Sequence, residues 1–152
     1  QNDFLANLHA ILEKTGLPPK YLEIEMTENI LLKSMDRLLK LLYQLEKLGI
    51  KLAMDDFGSG FSNFGYLSEL PIHTLKIDRS LMNRVLIGRD EVIVSSIIRI
   101  GHSLGLEVVA EGVEKLEVVE FLKAHDCHTI QGYYYSKPME AHEVANYVLK
   151  NI

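Results

Sequence analysis

Residues 48–58, Leu48-Gly49-Ile50-Lys51-Leu52-Ala53-Met54-Asp55-Asp56-Phe57-Gly58, hold the pattern that decides the fold. A glycine placed to end a helix in the left-handed conformation leads into a short apolar stretch, which then runs into two carboxylates and a glycine-bearing loop. The spacing predicts a helix stopping at Leu48, a strand over Ile50–Met54 and a polar turn, DDFGSG, at the strand's carboxyl end. The same outline recurs on both sides. Towards the N-terminus, Phe4, Leu5, Leu8, Ile11 and Leu12 predict a helix over Asp3–Lys14, stopped by Gly16 and Pro18-Pro19. Tyr21–Met26 alternates with period two and predicts a strand, and Leu31, Met35, Leu38, Leu42 and Leu45 predict a long helix over Glu28–Leu48 with an apolar core stripe. Towards the C-terminus, strands are predicted at His73–Ile77, Leu106–Ala110 and His128–Ile130. Helices are predicted at Arg89–Leu104, Leu116–His125 and Ala141–Lys150, with a short helical stretch at Asn63–Leu70. Strands that alternate with helices at such separations imply a parallel sheet with right-handed crossovers. Five such units fit an open doubly wound sheet or part of a (β/α) barrel, since a whole barrel takes eight strands and about 250 residues.

The composition narrows the function classes. Of the 152 residues, 47% are hydrophobic and 24% charged, as expected of one ordinary globular domain. No apolar run is long enough for a membrane span, so no direct membrane contact is expected. The single cysteine, Cys127, excludes a disulfide framework and suits a reducing, cytoplasmic setting. A net charge of −5 argues against a partner such as polymeric nucleic acid, which calls for a basic face.

The chemistry gathers at the carboxyl ends of the predicted strands, which parallel α/β folds bring to one rim. Glu25 and Glu28 end the first strand, Asp55 and Asp56 the second, Lys76 and Asp78 the third, Glu111 and Glu114 the fourth and Gln131 the fifth. Helix capping accounts for any one of these carboxylates. It does not call for a lysine within strand sequence or for an Asp-Asp doublet. Carboxylates crowded on one rim repel unless countered, and divalent Mg²⁺ or Mn²⁺ is the counter-charge that takes such oxygen ligands. Two ions held this way suit in-line phosphodiester hydrolysis. Other motifs carry less. DFG lacks the companion loops of a kinase, and Gly58-Ser59-Gly60 lacks the third glycine of a dinucleotide loop. The run His125-Asp126-Cys127-His128 matches no common zinc spacing, lies on the opposite rim, and leaves Cys127 as a core residue. Of Tyr133, Tyr134 and Tyr135, only Tyr133 is expected near the rim, with the other two packed.

Taken in order, EMTE, DDFGSG, LKIDRS, AEGVE and QGYYYSKP resemble the successive signatures of the EAL-domain phosphodiesterases, over nearly the whole chain from about Asn2 to Ile152. The resemblance implies a (β/α) TIM-type barrel that uses two Mg²⁺ or Mn²⁺ ions to cut cyclic di-GMP to linear pGpG. It implies that Glu25 binds the first metal, that Asp55 is shared by both, and that Asp56 and Glu111 bind the second. Lys76 matches the lysine that orients the attacking water, and Gln131 the amide that reaches metal-bound water. Catalytic roles therefore fall on Lys76, Glu111, Gln131 and Asp56. Glu28 and Glu114 match supporting carboxylates, Glu28 holding the loop from Asp56 to Ser62. That loop and its surroundings give substrate-side residues Gly58, Ser59, Gly60, Phe61, Ser62 and Tyr133. It reads FGSGFSN where the family commonly has FGTGYSS.

The Glu-Ala-Leu segment itself, its arginine and an asparagine ligand do not occur in this sequence. The expectation is therefore a C-terminal portion of an EAL domain over residues 1–152: five βα units of an eight-stranded barrel, with the N-terminal strands absent. Two functions compete, a phosphodiesterase and a catalytically silent module that binds cyclic di-GMP or a partner protein. An open barrel edge, or the family's dimer surface, would favour a homo-oligomer. Leu22, Ile24, Leu52, Met54, Leu75, Ile77, Val108, Ala110 and Ile130 include those expected to line the barrel interior.

Overall fold

A computed structural model of the chain describes residues 2–28, 30, 35–59 and 64–151. Its five strands are β1 (Glu23–Thr27), β2 (Lys51–Phe57), β3 (Thr74–Ile77), β4 (Glu107–Glu111) and β5 (Thr129–Gln131). Every neighbouring pair is parallel, and the spatial order β1-β2-β3-β4-β5 repeats the chain order. A doubly wound sheet reverses its strand order at a switch point. This sheet has no reversal, so it winds in one sense, as a barrel wall does.

The helices are α1 (Asn2–Thr15), α2 (Met35–Lys47), α3 (Arg79–Met82), α4 (Asp90–Ser103), α5 (Leu116–Ala124) and α6 (Ala141–Asn151), with 3₁₀ turns at Pro19–Tyr21 and Phe64–Glu69. Gly49 follows α2 with φ 81°, the left-handed cap that the sequence implies. The predicted long helix over Glu28–Leu48 is described from Met35 onward, and Leu31 lies outside the described residues. α3 is an element that the sequence did not announce.

Leu52, Met54, Leu75, Ile77, Val108 and Ala110 are buried, but against the helical layer. They pack with Leu42 and Leu45 of α2, Val94, Ile97 and Ile98 of α4, and Val118 and Leu122 of α5. Ile130 and Ile24 join the same cluster as partly buried members, as does Leu22. For Leu52, Met54, Leu75, Ile77, Val108 and Ala110 the expectation of a place on the barrel interior is therefore wrong by one residue of strand phase, whereas Leu22 and Ile130 do border the inner face. Both faces of a parallel sheet are covered in a complete fold, so alternation alone does not say which face is which. Burying each large apolar side chain here contributes about 1.5–3 kcal/mol. The helical layer sits close to the sheet at Gly101, where an added Cβ would come within 2.5 Å of Val108 Cγ2.

The inner face is polar. Thr74 Oγ1 donates to Glu23 Oε2 at 2.8 Å and Thr129 Oγ1 donates to Glu107 Oε1 at 2.9 Å, forming a lower layer of hydrogen bonds. Above it, towards the strand carboxyl ends, lie Glu25 and Lys76. A groove of about 550 Å³ runs along this face from Lys20 and Lys51 up to Gln131.

Candidate active site

Lys76 stands at the centre of the upper layer. β3 carries it towards the inner face between β2 and β4, where it is only 7% exposed. Its ammonium lies 2.6 Å from Glu25 Oε1, 2.8 Å from Glu111 Oε1 and 3.4 Å from Asp55 Oδ1. Three strands thus present carboxylates to one cation. Burial opposes the charge on Lys76, but the hydrogen bonds to Glu111 and Glu25 and the charges of Glu111 and Asp55 outweigh it. The net effect holds the lysine protonated well above its ordinary range. The contact with Asp55 is an ion pair without a directed hydrogen bond. Asp55 Oδ1 is consequently buried with no hydrogen-bond partner among the described residues.

A β-bulge places the second aspartate. β2 and β3 pair at Met54↔Leu75 and again at Phe57↔Ile77, so β2 spends one more residue than its neighbour over that stretch. Asp56 takes up the excess with φ 55°, a left-handed conformation that Asp tolerates better than most residues. The strand then resumes its phase and Phe57 returns to the core, fully buried. Without the bulge, adjacent aspartates would point to opposite faces. Asp56 is pushed above the usual carboxylate range by burial, then by the charges of Asp55 and Asp78 and a hydrogen bond with the Asp78 side chain; Lys76 partly offsets this. Asp78 in turn caps α3, accepting from Ser80 N–H at 2.9 Å and from the Ser80 hydroxyl.

Glu28 and Glu114 occupy separate places. Glu28, just past β1 and 7% exposed, accepts a 2.6 Å hydrogen bond from the Tyr66 hydroxyl in the Phe64–Glu69 turn. Burial and this bond push the Tyr66 phenol far up. Glu114 faces the other way and pairs with Arg79 Nη2 at 3.3 Å, both side chains being largely exposed. Arg79 crosses directly over Gly112, where a Cβ would lie 2.3 Å from Arg79 Cγ. The AEGVE and QGYYY segments are laced together by Val113 N–H to Gln131 O at 3.2 Å and Tyr134 N–H to Val113 O at 3.0 Å. Gln131 lies level with Glu111 in the β4–β5 register and borders both the groove and a second cleft of about 440 Å³. Tyr133 lines that cleft, with Lys137 Nζ 5.8 Å from its ring centroid. Tyr134 and Tyr135, expected to be packed, are exposed as well.

The structure therefore brings Glu25, Asp55, Lys76 and Glu111 into one cluster, with Asp56 and Gln131 on its margin. Gly58 and Ser59 follow the bulge, and Ser59 N–H donates to Asp56 O at 3.2 Å. Gly60, Phe61 and Ser62 lie outside the described residues. Tyr66 and Arg79 are contacts that sequence reasoning missed. Among the described residues, no three carboxylate, imidazole or thiolate side chains are close enough to surround a cation. The Lys76 ammonium holds the space between them. The donor chemistry nevertheless fits hard divalent ions: oxygen ligands only, a buried Asp55 Oδ1 without a hydrogen bond, and an Asp56 raised by burial and by the charges of Asp55 and Asp78. On the opposite rim, Cys127 is fully buried and its thiol is pushed up to about 11 by burial, as befits a core residue.

A one-sense parallel α/β sheet with a lysine–carboxylate cluster at its strand carboxyl ends is the wall of a barrel-type enzyme fold. Residues 1–138 match the EAL domain family, and the chain belongs to it. It is 43% identical over 129 residues to the cyclic di-GMP phosphodiesterase NbdA of Pseudomonas aeruginosa, covering 84% of this chain and 16% of NbdA. The PaMucR phosphodiesterase in complex with c-di-GMP superposes with a TM-score of 0.87 at 37% identity, over 92% of this chain and 57% of that one. BlrP1 of Klebsiella pneumoniae, in a manganese/cy-diGMP complex, superposes with a TM-score of 0.85 at 36% identity, over 91% of this chain and 36% of that one. The chain spans about a fifth or less of the length of such curated relatives.

Proposed function

We propose that the protein containing this chain hydrolyses one phosphodiester of cyclic di-GMP, giving linear pGpG. The observation that carries the reading is the placement of Lys76 among Glu25, Asp55 and Glu111 from three different strands. Glu25, Asp55, Asp56 and Glu111 are the residues that would hold two Mg²⁺ or Mn²⁺ ions. When bound, the ions would lower the pKa of a water and stabilise negative charge on the phosphate oxygens. Asp55, on the inner face between β1 and β3, is the carboxylate placed to serve both. Lys76 stays charged, keeps Glu25 and Glu111 apart by hydrogen bonding both, and orients the attacking water from its buried position. Gln131, level with Glu111, would supply a neutral amide to that water. The water oxygen joins phosphorus as the bond from phosphorus to the 3′-oxygen breaks, and that oxygen leaves with a proton. The reading includes a glutamate, an arginine and an asparagine supplied from outside these 152 residues.

Cyclic di-GMP incubated with the protein and Mn²⁺ should yield pGpG, resolved by chromatography, and Lys76→Met should lower the rate by about 100-fold or more. Retention of nucleotide without turnover, equal in both proteins, would favour the binding-module reading. The buried thiol of Cys127 supports a cytoplasmic setting. Among the described residues no helix is long and apolar enough to cross a membrane.

A further inference from the structure

We infer that Tyr66 is a positioning residue for the rim aspartates, acting through Glu28; the inference rests on the reading of Asp55 and Asp56 as the working carboxylates. Its hydroxyl bonds Glu28 at 2.6 Å, and the two residues are 8% and 7% exposed, so solvent does not compete for the contact. Glu28 directly follows Thr27, the last residue of β1, and Thr27 is the register partner of Asp55. Tyr66 belongs to the turn reached by the chain after it leaves Phe57. The bond therefore closes a ring: Asp55 pairs with Thr27, Thr27 leads to Glu28, Glu28 holds Tyr66, and the chain returns from Tyr66 through Phe57 and Asp56. The bulge lies inside this ring. Its left-handed Asp56 is a conformation that persists only where the surroundings over-determine it.

The turn itself has other anchors. Leu67 and Leu70 are buried, and the Tyr43 hydroxyl donates to Glu69 O at 3.2 Å. Removing the Tyr66 hydroxyl should thus leave the turn docked while loosening its tie to Glu28 and the bulge. This separates positioning from folding.

The test is Tyr66→Phe in the full protein, with two readouts. In metal-free, nucleotide-free protein, NMR hydrogen exchange should show the Ser59 amide, which bonds Asp56 O, exchanging faster while amides of α4 and α5 keep their rates. In loaded protein, the Mn²⁺ concentration giving half-maximal binding should rise about 10–100-fold, the loss typical of a residue supporting metal ligands. Glu28→Gln, which keeps an oxygen for the Tyr66 hydroxyl, should retain Ser59 protection, whereas Glu28→Ala should lose it. Unchanged Ser59 exchange in Tyr66→Phe overturns the proposal even if the melting temperature falls. Should Tyr66→Phe not fold, equal Ser59 exchange in Glu28→Gln and Glu28→Ala overturns it instead. The exchange arm needs no turnover, so its failure is distinct from absence of phosphodiesterase activity.

Discussion

The carboxyl of Asp56 lies within the field of that of Asp78, and both are of a residue type that is ionised at neutral pH. Burial and the charges of Asp55 and Asp78 favour the protonated form of Asp56 and raise it above the usual carboxylate range. The stabilisation is present in full below the ordinary carboxylate pKa and is lost as pH rises through the raised folded value.

Asp56→Asn should therefore melt a few degrees higher than the parent in metal-free buffer at pH 7. Asn accepts the left-handed backbone at position 56 and brings no charge. The advantage should shrink as pH falls and the parent aspartate takes up its proton. A variant less stable than the parent at pH 7 would contradict the crowding described here. The same variant should lose phosphodiesterase activity.

Asp55→Asn should abolish hydrolysis more thoroughly than Gln131→Ala. Asp55 carries the buried oxygen without a hydrogen bond, whereas Gln131 acts from the margin, for which a loss of about 10–100-fold is expected. Rates at saturating Mn²⁺ settle the order, and near-normal turnover by Asp55→Asn would remove the two-ion assignment.

Gly132→Ala and Gly112→Ala should differ in cost. At Gly132 a Cβ would lie 2.1 Å from Val113 O and 2.4 Å from Val113 N, so backbone must move. A loss of about 3 kcal/mol or more is expected. At Gly112 the obstacle is the Arg79 stem, with Cγ at 2.3 Å and Cβ at 2.7 Å; rotation relieves Cγ but not Cβ, so a smaller shift adds to the left-handed φ of 66°, itself about 1–2 kcal/mol. Denaturant titration reads both, and the reverse order would contradict the lacing of the two segments.

The 152-residue chain by itself should associate. β1 and β5 end the sheet, and each leaves a line of backbone groups without a strand partner among the described residues. The inner face is polar, so the driving force is edge pairing more than burial of an apolar wall. Sedimentation at micromolar concentration decides this; a monodisperse monomer that unfolds cooperatively would show that the edges are satisfied internally.

Much of the architecture was legible because each strand ends at a recognisable boundary. Gly49, Gly105 and the Pro71 preceding β3 punctuate the chain, and Lys76 is an anomaly in apolar strand sequence that points straight at the site. The face of each strand was not legible. Leu52, Met54, Leu75 and Ile77 satisfy an inward or an outward reading equally, and only the helices packed on them decide it. The bulge escaped notice because Asp55-Asp56 reads as a loop, while the register shows that the strand continues to Phe57. Tyr66 was hidden for a different reason. Its partner lies 38 positions away, and a phenol in a short turn carries no local signal.

The bulge in β2 has a consequence for how such a strand can change over time. Substitutions at 55 and 56 alter chemistry one position at a time, but a change in length there removes the bulge itself. Deleting one residue would restore a plain alternation with Phe57 still opposite Ile77 in the core, leaving a single carboxylate beside Lys76 on the inner face. Lineages of this domain are therefore free to lose activity either by replacing an aspartate or by dropping the extra residue, since neither change takes Phe57 from the core.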